Sequence, residues 1–510
     1  MKKLSIIALL FASVTLFADI WMPAIFSDNM VLQAGSKNKL WGTAEANAKV
    51  EVKVGSRAFK TKADEKGNWS VYTSKLPVDV KGKSISVLEN GAIKKEIKDV
   101  LVGEVWVLGG QSNMQWPVSK TPDYNAAKGR TNPNIRIFKQ SRIMAKTPQI
   151  NSPKGALWEK ANEKSIAIVS AVGYYFGEML LKQKNVPVGL IETSLGGSMM
   201  QAWIPTEKFT TEHLKTVQAS FNKQNSTYDY KKAMATYKKK LKEFDDAHKG
   251  KKLDKAEQTK RNSIARKRPN PISPRRSQET PSYLYNALIA PICDYSVRGV
   301  LWYQGCSDAY GPFSRNFDTV FEVLINSWRE AWKNPNMPFY FVQLPSFETN
   351  ATWPLVRAQQ LKVSKKMKNV HMVCTVDTGE QKDIHPQDKM PISKRLFDKA
   401  MQYTYNVKNA TADYAEAVGA KYDGSKAVVK FKIYKAPITA KAEKCPVEVK
   451  TSDGKWVVAD AKVVSKNTIE ITANADIFGV RYAWKNWAKP DVWLFTENGL
   501  PVIPFSFEKK

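Results

Sequence analysis

The chain has 510 residues, 43% of them hydrophobic, which excludes a disordered polymer and supplies a large core, with length enough for more than one domain. Its formal charge of +31 points to nucleic acid, acidic glycans or anionic surfaces as partners. An aromatic content of 11%, with 15 Trp, suits β-rich domains and sugar-facing surfaces.

Residues 1–18 read as an export signal. Lys2 and Lys3 precede an apolar run over 4–16, too short for a stable anchor, and Ala18 offers a small residue for cleavage. The expected mature chain begins at Asp19, is exported to the periplasm or beyond, and carries no stable membrane insertion. Residues 19–100 alternate short strand-like runs (49–54, 69–72, 84–88) with glycine turns at Gly55, Gly67 and Gly91, the pattern of a small β-sandwich. At 105–108, Val-Trp-Val-Leu is short, continuous and apolar, as expected for a strand buried on both faces, and it runs into Gly109 and Gly110. A helix over 169–183, then strands over 187–191, 299–303, 339–344 and 370–376, predict a parallel sheet covered by helices across 101–409.

Residues 206–280 break that rhythm. They carry 20 Lys and Arg against 9 Asp and Glu, with Met234, Tyr237, Leu241 and Phe244 at helical spacing. This is a helical insertion ending in a basic, proline-containing loop over 261–276. It is either a solvated excursion or a clamp for an anionic glycan or cell-wall polymer. Export and the lack of interleaved aromatics argue against nucleic acid. Strand-like segments return over 427–433, 447–450, 468–472 and 479–484, giving a C-terminal β region over 410–510. Cys293, Cys306, Cys374 and Cys445 have neither metal-ligand spacing nor a dense disulfide pattern; they read as small buried hydrophobes, with a single disulfide of unassigned pairing as the alternative in an oxidising compartment.

Ser112, in the turn Gly109-Gly110-Gln111-Ser112-Asn113-Met114, is the candidate nucleophile, and a serine hydroxyl needs a base. Four histidines compete for that role. His213 and His248 lie in the basic insertion, the first as an exposed residue and the second at a helix end. His371 lies in an apolar strand. His385, in the polar loop Lys382-Asp383-Ile384-His385-Pro386 after the fifth strand, is the candidate base, because such loops form the crevice of a doubly wound sheet. Gly196 and Gly197, and then Gln304 and Gly305, follow two other strands and can bring backbone N–H groups to an oxyanion.

Together the segments at 26–33, 102–106, 110–114, 170–176, 187–191, 281–286 and 302–305, with Asp383-Ile384-His385-Pro386 and 499–505, make the chain resemble the sialate O-acetylesterase family. That family lies within the SGNH hydrolases and is similar to acetyl xylan esterases. The resemblance implies an SGNH-type α/β domain and a serine esterase that removes acetyl groups from sugars without metal or other cofactor. It gives Ser112 and His385 the catalytic roles and places the oxyanion at the N–H groups of Ser112, Gly197 and Gln304. Gln111, Asn113 and Trp302, in the same motifs, are the expected substrate contacts. After Gln304-Gly305, where the family places a glutamate, this chain has Cys306. Asp383 is then the best triad acid, with Asp308 and Asp377 in reserve and a Ser–His dyad as the remaining case. A relative that binds acetylated or anionic glycans without turnover is the alternative function.

Overall fold

The computed structural model describes residues 20–509; the expected export signal lies outside the described residues. The centre is a sheet of β1 (Ala92–Gly110), β2 (Asn132–Lys139), β3 (Leu157–Ala161), β4 (Val188–Glu192), β5 (Gly299–Tyr303), β6 (Phe339–Val342) and β7 (Val370–Val373). The order is β7-β6-β5-β1-β4-β2-β3. Pairings from β7 through β2 are parallel. The edge strand β3 runs antiparallel to β2, which makes the sheet mixed where an all-parallel one was expected. Residues 140–156 between them hold no helix, and without a crossover the chain returns antiparallel.

The helices beside this sheet include α1 (Ser112–Gln115), α2 (Ala171–Lys184), α3 (Phe317–Ala331), α4 (Trp353–Lys366) and α5 (Met390–Tyr403). α2 packs beside α5, and α3 beside α4. Val105, Trp106, Val107 and Leu108 on β1 are fully buried, as an apolar run covered on both faces requires. Gly173 of α2 sits against Leu108, where a Cβ would come within 2.1 Å of the leucine methyl, so only glycine permits that approach.

β1 is 19 residues long and belongs to two layers. Its first half pairs antiparallel with Asp79–Glu89 and parallel with Val31–Gln33. The boundary expected at residue 100 therefore falls inside one strand, and the N-terminal β region joins the central sheet through β1, with no linker. Lys49–Val54 and Arg57–Lys62 extend that region, while Lys39–Thr43 pairs with Asn68–Tyr72 as a separate ribbon. The C-terminal region is a seven-stranded sheet from Glu416–Asp423 to Phe505–Glu508, with every neighbouring pair antiparallel.

The insertion folds as three helices, Glu212–Ser226, Tyr230–Ala247 and Lys255–Ala265. The expected apolar stripe lies on the second, with Phe244 buried and Met234, Tyr237 and Leu241 half-buried. The basic loop begins after Ala265, later than expected. Residues 261–265 form the last turn of a helix that opens on a capping box of Asp254 and Glu257 and ends at the C-cap Arg266.

Candidate active site

β1 sits between β4 and β5, and the direction of sheet growth reverses there, so the crevice opens beyond its carboxyl end. Three loops meet at that point. β1 ends on Gly110 at φ +127°, where a Cβ would lie 2.3 Å from the Tyr303 carbonyl of β5. Gln111 N–H donates to that same carbonyl at 3.0 Å, and α1 then begins at Ser112. As the first residue of a helix, Ser112 has an N–H with no intrahelical acceptor.

His385 Nε2 lies 2.9 Å from Ser112 Oγ. On the other side of the ring, Nδ1 lies 3.2 Å from Asp383 Oδ1, which also accepts from the His385 backbone N–H at 2.9 Å. The aspartate thus fixes both the turn and the ring. Trp116 stacks on the imidazole, centroid to centroid 5.0 Å. Burial pushes the His385 pKa below the ordinary imidazole value; Asp383 opposes that shift, while Lys389 and Lys120 reinforce it. The shift favours the neutral ring, the form a base needs.

The β4 loop closes against the serine. Leu195 N–H donates to Gly110 O at 3.0 Å, and Gly196 N–H donates to Gln115 Oε1 at 2.6 Å. A Cβ on Gly196 would stand 3.4 Å from Ser112 Cβ. Gly197 has φ +73°, a backbone that glycine adopts without strain.

Several residues of the sequence motifs turn inward to hold these loops together. Gln111 is buried, and its Oε1 accepts from the Gly305 and Ser307 N–H groups. Asn113 is fully buried; its Nδ2 donates to Ile384 O at 3.0 Å, tying the serine helix to the histidine turn. Trp302 is 1% exposed within Trp203, Phe321, Trp328 and Phe339. None of the three offers the face to substrate that was expected of them. Their motifs are wanted for packing at the strand ends.

The reserve acids are elsewhere. Asp377 is paired bidentately with Arg395. Asp308 accepts from Met200 N–H and from Gln304 Nε2, and burial lifts its pKa to about 6. The Gln304 amide also donates to Ser198 O, so both its side-chain protons are committed, and only its backbone N–H remains for the expected oxyanion role.

Two further residues stand in the site, one at the motif position after Gly305 and one that no motif signals. Cys306 is buried, with a thiol pKa pushed up to about 12, and Asn113 Nδ2 approaches its sulfur at 3.9 Å. Lys389 is fully buried at the start of α5. Its Nζ donates to Asn113 Oδ1 at 2.6 Å and lies over the rings of Trp116 and Tyr303. Burial lowers its pKa to about 7. Spacing along a chain says nothing about a lysine turned into a core, which is why only the structure finds it.

The other histidines lie away from Ser112. His371 is stacked between Tyr340 and Tyr403, with its pKa lowered to about 4 by burial. His248 caps its helix and bonds Phe244 O at 2.7 Å. His213 is half-buried, where it was expected exposed. All four cysteines are free, three buried and Cys293 partly so. Among the described residues no group of three His, Cys, Asp or Glu could hold a metal ion, and no helix is long and apolar enough to cross a membrane.

Residues 102–246 and 275–402 match the family described as carbohydrate esterase, sialic acid-specific acetylesterase. The chain is 26% identical to the sialate O-acetylesterase of Mus musculus over 94% of its own length and 93% of the relative's. It is 24% identical to that of Homo sapiens, covering 94% and 91%. The fold superposes on a carbohydrate acetylesterase from Xanthomonas citri with a TM-score of 0.79 and 24% identity, covering 96% of this chain and all of that one. With more than half of its length matched, the chain belongs to the carbohydrate esterase family of sialic acid-specific acetylesterases.

Proposed function

We propose that this protein is a carbohydrate O-acetylesterase working through Ser112, His385 and Asp383. The observation that carries the reading is the 2.9 Å contact of His385 Nε2 with Ser112 Oγ, with Asp383 on the opposite nitrogen. In the proposed reaction Ser112 Oγ attacks the acetyl carbonyl while His385 Nε2 takes its proton. The carbonyl oxygen becomes an oxyanion facing the backbone N–H groups of Ser112, Gly197 and Gln304. Each such donor is worth roughly 2.7–4 kcal/mol of barrier. Collapse breaks the ester bond, and the imidazolium returns its proton to the departing sugar hydroxyl. Water, deprotonated by His385, then attacks the acetyl-serine; the imidazolium returns that proton to the departing Ser112 Oγ, and acetate is released. Asp383 holds the Nδ1–H tautomer and stabilises the imidazolium, taking the part for which Cys306, as a neutral thiol, is unsuited.

The test is acetate release from p-nitrophenyl acetate and from acetylated sialic acid or xylan by the purified chain, beside Ser112→Ala. Loss of release in the variant supports the reading. Equal rates overturn it, and no release from either protein favours a glycan-binding relative without turnover. Export belongs to the same proposal, and a secreted form beginning at Asp19 is its expected product.

A further inference from the structure

The segment 266–276 leaves the third insertion helix and returns to Gln278, whose carbonyl accepts from Met199 N–H at 2.8 Å beside the glycine loop. It thereby walls a cleft of about 660 Å³, lined by Gly196, Gly197 and Ser307 toward the catalytic serine and by Arg266, Arg268 and Arg276 outward. A second cleft of about 770 Å³ shares those three arginines and continues past Lys267 and Arg275. Each has the volume of a whole small-ligand site, so together they exceed what a single sugar fills.

The charges along this path are not all spoken for. Arg276 is paired with Glu279, and Arg275 is held by Gln224, Ser220 and the Phe221 ring. Arg266 and Arg268 are exposed, and among the described residues their side chains make no ion pair or hydrogen bond. Both lie between the two segments that the family matches, which end at 246 and resume at 275. A guanidinium fork left unpaired over a cleft that opens on an oxyanion loop is suited to a carboxylate or sulfate, which it grips through two parallel hydrogen bonds.

We propose that Arg266 and Arg268 form an extended anion subsite beside the catalytic serine, and that the substrate is an O-acetylated polyanionic glycan with acid groups on sugars flanking the ester. This rests on the esterase reading and narrows its substrate class. The positive path draws in the polymer and holds it in register while a flanking acetyl ester enters at Ser112, so the gain should fall with salt.

The experiment measures kcat/KM on acetylated polyuronate, an acetylated sulfated polysaccharide, neutral acetyl xylan and free O-acetylated sialic acid. The parent is compared with Arg266→Ala/Arg268→Ala and with the charge-keeping Arg266→Lys/Arg268→Lys. The expected result is a fall of about tenfold or more in the polyanion-to-xylan ratio for the alanine pair, carried by KM, with partial recovery in the lysine pair. The uronate and sulfate arms tell which acid is read. An unchanged ratio, or an equal loss on free sialic acid, overturns the polymer subsite. Calorimetric binding of the deacetylated polyanions separates this from the esterase reading. Binding that vanishes in the alanine pair supports the subsite even if no ester is cleaved, and equal binding by both proteins removes it.

Discussion

Asp383→Asn isolates the electrostatic share of the aspartate. An asparagine Oδ1 can still accept from the His385 backbone N–H, now 2.9 Å from Asp383, so the turn persists while the charge is lost. What goes is a hydrogen bond between a carboxylate and the imidazolium of the transition state, worth about 1.5–3 kcal/mol. Because the Asp383 side chain is 45% exposed, solvent screening puts the loss at the lower end. At about 1.4 kcal/mol per tenfold, kcat/KM should fall about ten- to thirtyfold, well short of the roughly 10⁴ seen for a fully buried triad acid. Asp383 also raises the His385 pKa, so its neutralisation should move the acid limb of the kcat/KM profile to lower pH. Asp383→Ala removes the turn contact as well and should be the slower of the two. The assay is acetate release across about pH 4–9, a range that brackets the ordinary imidazole pKa. A variant with the parent's rate and an unmoved limb would refute Asp383 as the acid.

The remaining expectations concern groups around that pair. Lys389→Met removes a positive charge that depresses His385, so the acid limb should move to higher pH, opposite to Asp383→Asn. In the parent, Lys389 is neutral in the folded state above about pH 7 but keeps its proton when unfolded up to about 10.5. The unfolded chain therefore binds more protons in that window, and stability should rise with pH across it; the slope should shrink in Lys389→Met when unfolding is followed by denaturant titration. Iodoacetamide at pH about 8 should leave Cys306 unmodified and activity intact in the native protein, as read by peptide mass mapping, because the buried thiol is pushed up to about 12. His371→Phe should keep kcat/KM within about threefold, since that ring is a neutral stacking partner away from the serine.

The parts of the fold that announce themselves in sequence are those with one dominant cause. The apolar run before Gly109 could only be buried, and β5 appears over the residues read as strand. β2 and β3 carry Asn, Pro, Arg, Lys and Glu among their apolar residues and give no clean period, so the antiparallel edge stayed hidden. That Ser112 and His385 would meet was legible because few histidines compete and loop position sorts them. The inward turn of Gln111, Asn113 and Trp302 was not, because one motif can recur for contact with substrate or for packing beneath it, and only burial separates the two. Lys389 and the cleft of Arg266 and Arg268 depend on where distant segments meet, which local pattern does not encode.

The central claim is that Ser112 carries the acetyl group. Rapid quenching of the protein with an acetylated sugar, followed by peptide mass spectrometry, tests it most directly. The account predicts one added acetyl on the peptide containing Ser112, and none there in Ser112→Ala. Turnover of the same substrate with no acetyl on that serine, or acetyl on another residue in step with turnover, would contradict it.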